Sequence, residues 1–400
     1  MRLLLLANTI AIALLSFNVM AEASPLEFHG YMRGGVGLSN NAGSNSKWEV
    51  NKVGRLGNEN DLYGEFGLKK GLYSDDKVSF VVDSMLAYWE GQDSNASDKS
   101  VNVVQLNIQA QGLFDDKDIV LWAGDRYYQR HDVHIVDNYF WDVSGIGGGV
   151  EHINMGPGKL SFALIQDTVD ESSNDQDDVT GVIVDIRYAG IPMWENADLE
   201  VGLDYNYGNE RDGQTIDADD SIMLTAILNQ TFDIGFNQTI IQLANSGYAE
   251  QMTTYGYGNG LVRNAANNDA TGLRIINWGV VSLGNNIELG HSVRYAAATN
   301  VSGTDTDDST FSVVIRPMYK WTKRMRTVLE LGTFTETIND LDSSGSKFTI
   351  AQSWVPQSGF WARPEIRIFA TYLDDVKNDD RNKTLDMTGL SIGMQVEAWW

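Results

Sequence analysis

The closing stretch "TGLSIGMQVEAWW", Thr388 to Trp400, decides the fold. Leu390, Ile392, Met394, Val396, Ala398 and Trp400 fall on one parity, and Ser391, Gly393, Gln395, Glu397 and Trp399 on the other. Side chains alternate across a β-strand, so one face here is wholly apolar and the other mostly polar. The same period runs through "LEFHGYMRGGVGL", where Leu26, Phe28, Met32, Val36 and Leu38 oppose Glu27, His29, Tyr31 and Arg33. "ENDLYGEFGL" sets Leu62, Phe66 and Leu68 against Glu59, Asp61, Tyr63 and Glu65. In "STFSVVIRPMYKW", Phe311, Val313, Ile315, Tyr319 and Trp321 oppose Thr310, Ser312, Arg316 and Lys320. In "WARPEIRIFATY", Ala362, Ile366, Ile368, Ala370 and Tyr372 oppose Trp361, Arg363, Glu365, Arg367 and Phe369.

A soluble β-sandwich or β-helix would bury the apolar face in a core. A membrane barrel would turn it to lipid and its polar face to a lumen. Polar faces rich in Arg, Glu and aromatics suit a wet interior. Aromatics near the ends of the apolar faces suit interface girdles, and the last strand runs to an aromatic final residue. The expectation is an all-β, transmembrane antiparallel β-barrel. About 380 mature residues, at roughly 20 per strand with its share of loop, give about 18 strands.

The chain has 400 residues and no cysteine, which excludes a disulfide scaffold. Its start, "MRLLLLANTIAIALLSFNVMA", reads as a secretory signal peptide: Arg2, an apolar run from Leu3 to Phe17, and cleavage after Ala21 or Ala23. The run is short for a membrane anchor. The expected division is a signal peptide over 1–21 and one barrel domain over 22–400. A formal net charge of -25 speaks against nucleic acid as a partner. Acidic runs at Asp170 to Asp178, Asp217 to Asp220, Thr304 to Asp308 and Leu373 to Lys383 read as solvated loops. None has the residue spacing of a defined calcium loop.

The densest chemistry is "YYQRHDVHIVDNYFWD", Tyr127 to Asp142. His131, Asp132 and His134 invite a metal reading. On a strand His131 and Asp132 point oppositely, and no further His or Cys stands nearby, so neither metal nor cofactor is expected. An enzyme reading would rest on Ser144, which lacks the context of a nucleophile elbow, so no enzyme is expected. Gly145, Gly147, Gly148 and Gly149 lack the Lys-Ser/Thr of a phosphate loop and read as turn or tight-packing glycines.

"LEFHGYMRGG", "RLGNENDLYGEF", "WAGDRYYQRHDVHIVDNYFWDVSG", "IRPMYKWT", "WARPEIRIFATY" and "QVEAWW" closely resemble the maltoporin family of sugar-specific outer-membrane porins. The resemblance runs from Leu26 to Trp400 and is loose from about Val169 to Asp308. It implies an 18-stranded barrel assembling as a homotrimer in the outer membrane of a Gram-negative bacterium, among outer-membrane lipid and lipopolysaccharide. It also implies facilitated diffusion of maltose and maltodextrins. The family's lumen carries a file of aromatics, the greasy slide, flanked by a polar track and narrowed by an inward-folded constriction loop. Tyr31, Tyr63, Trp361 and Trp399 match slide positions, and all four fall on the parity already assigned to the lumen. Tyr257 is the nearest candidate for a further slide position, with Tyr255 beside it. Tyr139 matches the constriction aromatic. Arg33, Arg55, Glu65, Arg130, Asp132 and Asp137 match track or constriction positions, and His134 and Asp142 match polar residues of the same loop. Arg363, Glu365 and Arg367 read as ion pairs on the wall.

The chain also departs from the family. The slide aromatic that the family inserts from a neighbouring subunit aligns with Ser94, although Trp89 lies close in sequence. Asp125 stands where a basic residue is common, Asn138 replaces an aromatic, and the first-loop disulfide of some relatives cannot form. These departures keep open a channel of the same fold passing sucrose, β-glucosides or general small solutes. A surface receptor acting through the acidic loops is a further rival.

The residue types suit a sugar. A glucosyl ring has apolar C–H faces, which flat aromatics can cover, and a rim of hydroxyls, which Arg, Asp and Glu can hold. Ordinary hydrogen bonds net about 0.5–1.5 kcal/mol. Several such weak stations permit both entry and exit, whereas one deep site would trap the solute.

Overall fold

The computed structural model describes residues 25–41, 47–90, 99–167, 181–208, 218–254, 261, 263–303, 307–379 and 386–400. The expected signal peptide, Ser94, Tyr255, Tyr257 and the run from Asp170 to Asp178 lie outside the described residues.

The first strands are β1 (Glu27–Ser39), β2 (Leu62–Ser74), β3 (Ser79–Glu90), β4 (Lys99–Gln111) and β5 (Val120–Arg126). A small hairpin follows, β6 (His131–Val133) with β7 (Asn138–Trp141). Next come β8 (Gly145–Asn154), β9 (Lys159–Asp167), β10 (Gly181–Trp194), β11 (Ala197–Gly208), β12 (Ser221–Phe232), β13 (Gly235–Asn245) and β14 (Thr271–Ser282). The last are β15 (Ile287–Thr299), β16 (Asp307–Thr322), β17 (Met325–Ile338), β18 (Leu341–Trp354), β19 (Glu365–Asn378) and β20 (Gly389–Trp399). Among the described residues, 18 of these form one sheet. Each pairs antiparallel with its neighbour, and β20 returns to β1, setting Trp399 opposite Tyr31 and Ser391 opposite Ser39. Closure leaves no open sheet edge, which a lipid environment demands.

The alternation read from sequence maps onto the two faces of this wall. On β1, Val36 and Leu38 are 67% and 83% exposed. On β19, Ile366, Ile368 and Tyr372 are exposed, while Glu365, Arg367 and Phe369 are buried. On β20, Ile392 and Met394 are exposed, while Ser391, Gln395 and Glu397 are buried. Exposed apolar and buried polar residues invert the pattern of a soluble protein, as a wall between lipid and lumen requires. Trp400 lies 5.4 Å from Phe28 and 6.0 Å from Phe66 between ring centroids, so the last residue covers the seam where the barrel closes.

Short turns join the strands at one end, such as 195–196, 233–234 and 323–324, and both ends of the barrel chain lie there. In outer-membrane barrels that end is periplasmic. At the other end, among the described residues, three long connections fold into the lumen where the sequence suggested one. They comprise 47–61 with the short helix α1 (Val50–Val53), 127–144 with β6 and β7, and 246–254 with 263–270.

The segment 127–144 is apolar on the side that meets the wall. Val133, Ile135, Val136, Phe140 and Trp141 are fully buried against Met223, Ile227, Ile240, Val314 and Met318. Segment 47–61 lies against β17 and β18, which follow β20 and β19 round the wall from β1. The Leu56 N–H donates to Glu330 at 2.9 Å, and the Leu56 carbonyl accepts from Lys347 Nζ at 2.7 Å and Thr349 Oγ1 at 3.0 Å. Gly54 (φ 95°) lies so close to Glu330 that a Cβ there would stand 2.4 Å from the carboxylate. Only glycine permits both that conformation and that approach. The two segments also meet: the Arg55 N–H donates to the Ile135 carbonyl at 3.2 Å, and Asn51 Nδ2 to the Asp137 carbonyl at 2.6 Å. Gly147 and Gly149 lie within β8 beneath the Leu164 and Phe162 carbonyls of β9, so they are packing glycines rather than a turn.

Candidate solute-binding channel

Between the inward segments and the β1–β5 side of the wall runs a cavity of about 690 Å³. One flank is aromatic. Trp399 and Tyr31 are directly opposed on β20 and β1. Tyr63 follows on β2, its ring 6.1 Å from that of Tyr31. Trp361 lines the same cavity, but it precedes β19 and lies in the periplasmic connection 355–364. The alternation that set it on a strand face therefore extended past the strand's start at Glu365. Its ring still reaches the lumen and stacks on His134 at 5.2 Å. Two aromatics missed in the sequence stand beside it, Phe236 at 6.4 Å and Trp278 at 6.5 Å. Phe236 is the second residue of β13, on the parity of Gln242. Ile240 shares that parity, which hid the lumenal face from a hydropathy reading.

The other flank is charged. Arg33 Nη2 meets Asp61 at 3.0 Å, and Arg33 Nη1 meets Asp137 at 3.2 Å and Glu59 at 3.3 Å. Arg55 meets Glu59 at 2.9 Å and Glu397 at 3.4 Å, and donates to the Tyr31 hydroxyl at 2.5 Å. The network continues along the wall. Arg363 meets Glu397 at 2.6 Å, and Arg367 meets Glu365 at 3.2 Å. Glu365 and Arg367 thus form ion pairs on the wall, as read from sequence, while Arg363 joins them from the connection that precedes β19. Arg363 additionally lies 4.4 Å over the Trp399 ring, tying track to aromatics.

Arg130 is held by rings, with Cζ 3.5 Å from the Tyr127 centroid and 4.7 Å from that of Tyr139. Glu65 accepts from the Tyr63 hydroxyl at 2.6 Å, and Asp142 accepts from the Ser144 N–H at 2.9 Å. Arg130, Asp132, His134, Asp137, Tyr139 and Asp142 all line the cavity from the inward segment.

Burial and neighbouring charge together set the protonation of this segment. Burial would raise the Asp137 carboxyl, but Arg55, Arg33 and Lys47 outweigh it and hold the pKa below the usual range. Burial pushes Asp132 up, and the Asp137 charge adds to the shift. Burial, then Arg55, holds the His134 imidazole well below its ordinary value, so it is neutral.

His131 and His134 do not converge. His131 Nε2 lies 3.2 Å from Glu200 on the wall, and its ring stacks 5.5 Å from Trp141. Ser144 Oγ accepts from the Tyr128 N–H at 3.2 Å. Asp125 reaches the cavity although Leu121 and Ala123 of the same parity face outward, because Gly124 (φ 126°) breaks the alternation. Asn138 is fully buried and does not line the cavity.

A model of the LamB porin family matches residues 26–400. The chain belongs to the LamB porin family. Maltoporin of Photobacterium profundum is 45% identical over 423 residues, covering 99% of this chain and 98% of that protein. Maltoporin of Vibrio cholerae serotype O1 is 42% identical over 418 residues, covering 98% and 99%. Among solved structures, Pseudomonas aeruginosa OccK2 in complex with glucuronate has a TM-score of 0.55 at 10% identity, covering 94% of this chain and 97% of that one. Salmonella typhi OmpF in complex with daunomycin scores 0.52 at 10% identity, with the same coverage. At such identity these two share the barrel fold alone. This LamB-family porin is an outer-membrane channel and not an enzyme.

Proposed function

We propose that this porin passes maltose and maltodextrins by facilitated diffusion along its aromatic flank. The observation that carries the reading is the juxtaposition of Tyr63, Tyr31, Trp399 and Trp361 with ion-paired arginines and carboxylates across one cavity. The rings cover the sugar's C–H faces while Arg130, Asp132, Glu65 and Asp142 exchange hydrogen bonds with its hydroxyls. Arg33, Arg55 and Asp137 hold one another in place, and Tyr139 with Arg130 sets the narrowest passage. Phe236 extends the file toward the periplasm. The names of the relatives support maltodextrins as the solute class. In this reading the chain is exported behind a signal peptide over 1–21 and works as a homotrimer among outer-membrane lipid and lipopolysaccharide.

Asp125 favours a second reading, a different or broader solute preference, because it adds an acceptor to the cavity wall. Swelling of liposomes bearing the porin in maltose, maltotriose, sucrose and a β-glucoside separates the two. Maltotriose entering faster than the smaller sucrose supports the first, and entry ordered by size alone supports the second.

A further inference from the structure

We propose that Trp89 is the outermost platform of the slide, supplied by the same subunit whose channel it serves. The inference deepens the sugar-channel reading and rests on it. Trp89 lies directly opposite Tyr63 in the β2–β3 ladder. Directly opposed residues share a face, with Cβ atoms about 4.5–5.5 Å apart. Met85 and Ala87, on the parity of Trp89, are buried toward the lumen, whereas Leu86 on the other parity is 41% exposed on the lipid face. The β2–β3 ladder is regular from Leu62↔Glu90 to Gly71↔Val81, and the irregularity of the β3–β4 ladder falls between Met85 and Leu86, so the alternation from Ala87 to Trp89 is unbroken. The Trp89 indole therefore faces the lumen.

Its position continues the file. Trp399 opposes Tyr31, and Tyr63, the next ring, opposes Trp89. Trp89 is the penultimate residue of β3, at the end away from the periplasmic turns. Trp89 is 42% exposed, a large apolar residue turned to water. Such a surface contributes neither to the lipid face nor to the packing of the inward segments, and it offers a flat platform to the apolar face of an arriving glucosyl ring. A platform on the barrel's own strand needs no aromatic from a neighbouring subunit, where this chain carries Ser94.

The test uses the full porin in planar bilayers, with maltose or maltohexaose added on the loop side and block of the ion current recorded for wild type, Trp89→Ala and Trp89→Phe. Trp89→Ala should weaken maltohexaose block by about 2- to 10-fold, the range of one aromatic contact. The loss should lie in the association rate. Maltose block and open-channel conductance should hold, and Trp89→Phe should retain most of the maltohexaose affinity. Equal maltohexaose block in wild type and Trp89→Ala overturns the inference and leaves the sugar-channel reading standing. An equal loss for maltose and maltohexaose also overturns it, since an outer station serves long chains selectively. A wild-type channel blocked by neither sugar overturns both.

Discussion

Glu330 should control whether segment 47–61 stays seated in the lumen. Its Oε1 accepts from the Leu56 N–H at 2.9 Å and from Lys347 Nζ at 2.6 Å, and its Oε2 accepts from Arg316 at 2.5 Å. All these partners are buried. Glu330→Ala removes one carboxylate from two cations and leaves the Leu56 N–H without its acceptor. Removing one member of a buried ion pair costs about 3–5 kcal/mol, chiefly through the charge left behind. The wet lumen lets water offset part of that. A residual of about 1.4 kcal/mol would still raise the ratio of released to seated segment about tenfold. Single-channel recording should show higher mean conductance with frequent steps, and proteolysis of the folded porin should cut within 47–61. Glu330→Gln should lie between, because its amide oxygen still accepts from Leu56 while the charge is gone. Heat-modifiable migration on a gel confirms that the barrel has formed. Folded variants with wild-type conductance and protease resistance would refute the reasoning.

Tyr139→Ala should raise open-channel conductance, because it removes a constriction ring and frees Arg130 from one of its two aromatic supports; unchanged conductance would take Tyr139 out of that role. Trp361→Ala should weaken maltodextrin block by about 2- to 10-fold, the range of one aromatic contact, with little change in conductance. On acidification Asp132, pushed up by burial, should gain its proton before Asp137, which Arg55 and Arg33 hold low. One negative charge then leaves the constriction, so cation conductance should fall at a pH above about 3.9. That step should vanish in Asp132→Asn. His134 stays neutral in the folded porin, so His134→Gln should leave the conductance profile unchanged between about pH 5.5 and 7.5.

The barrel was legible because lipid imposes one uniform demand on the outward face, and β1, β16, β19 and β20 each carry it openly. The inward face was harder to read. Val314 and Met318 on β16, and Ile227 on β12, are apolar on the lumenal parity because the inward segment 127–144 packs on them. That packing blurs alternation through the middle strands, where Phe236 and Trp278 went unnoticed. The charged lining of the cavity was legible near recognisable motifs, as at Arg33, Arg55 and Arg130. Its anchors were not, since Leu56 and Glu330 lie 274 positions apart and only the fold brings them together. Trp361 showed the opposite limit. Its inward placement was anticipated through an alternation that stops before it, at the start of β19.

The most direct measurement is the ion current through the reconstituted porin as maltohexaose is titrated on one side of a planar bilayer. A saturable, concentration-dependent block, deeper than that by sucrose at the same concentration, is the expected result. A current unaffected by maltohexaose at any concentration would contradict the aromatic slide.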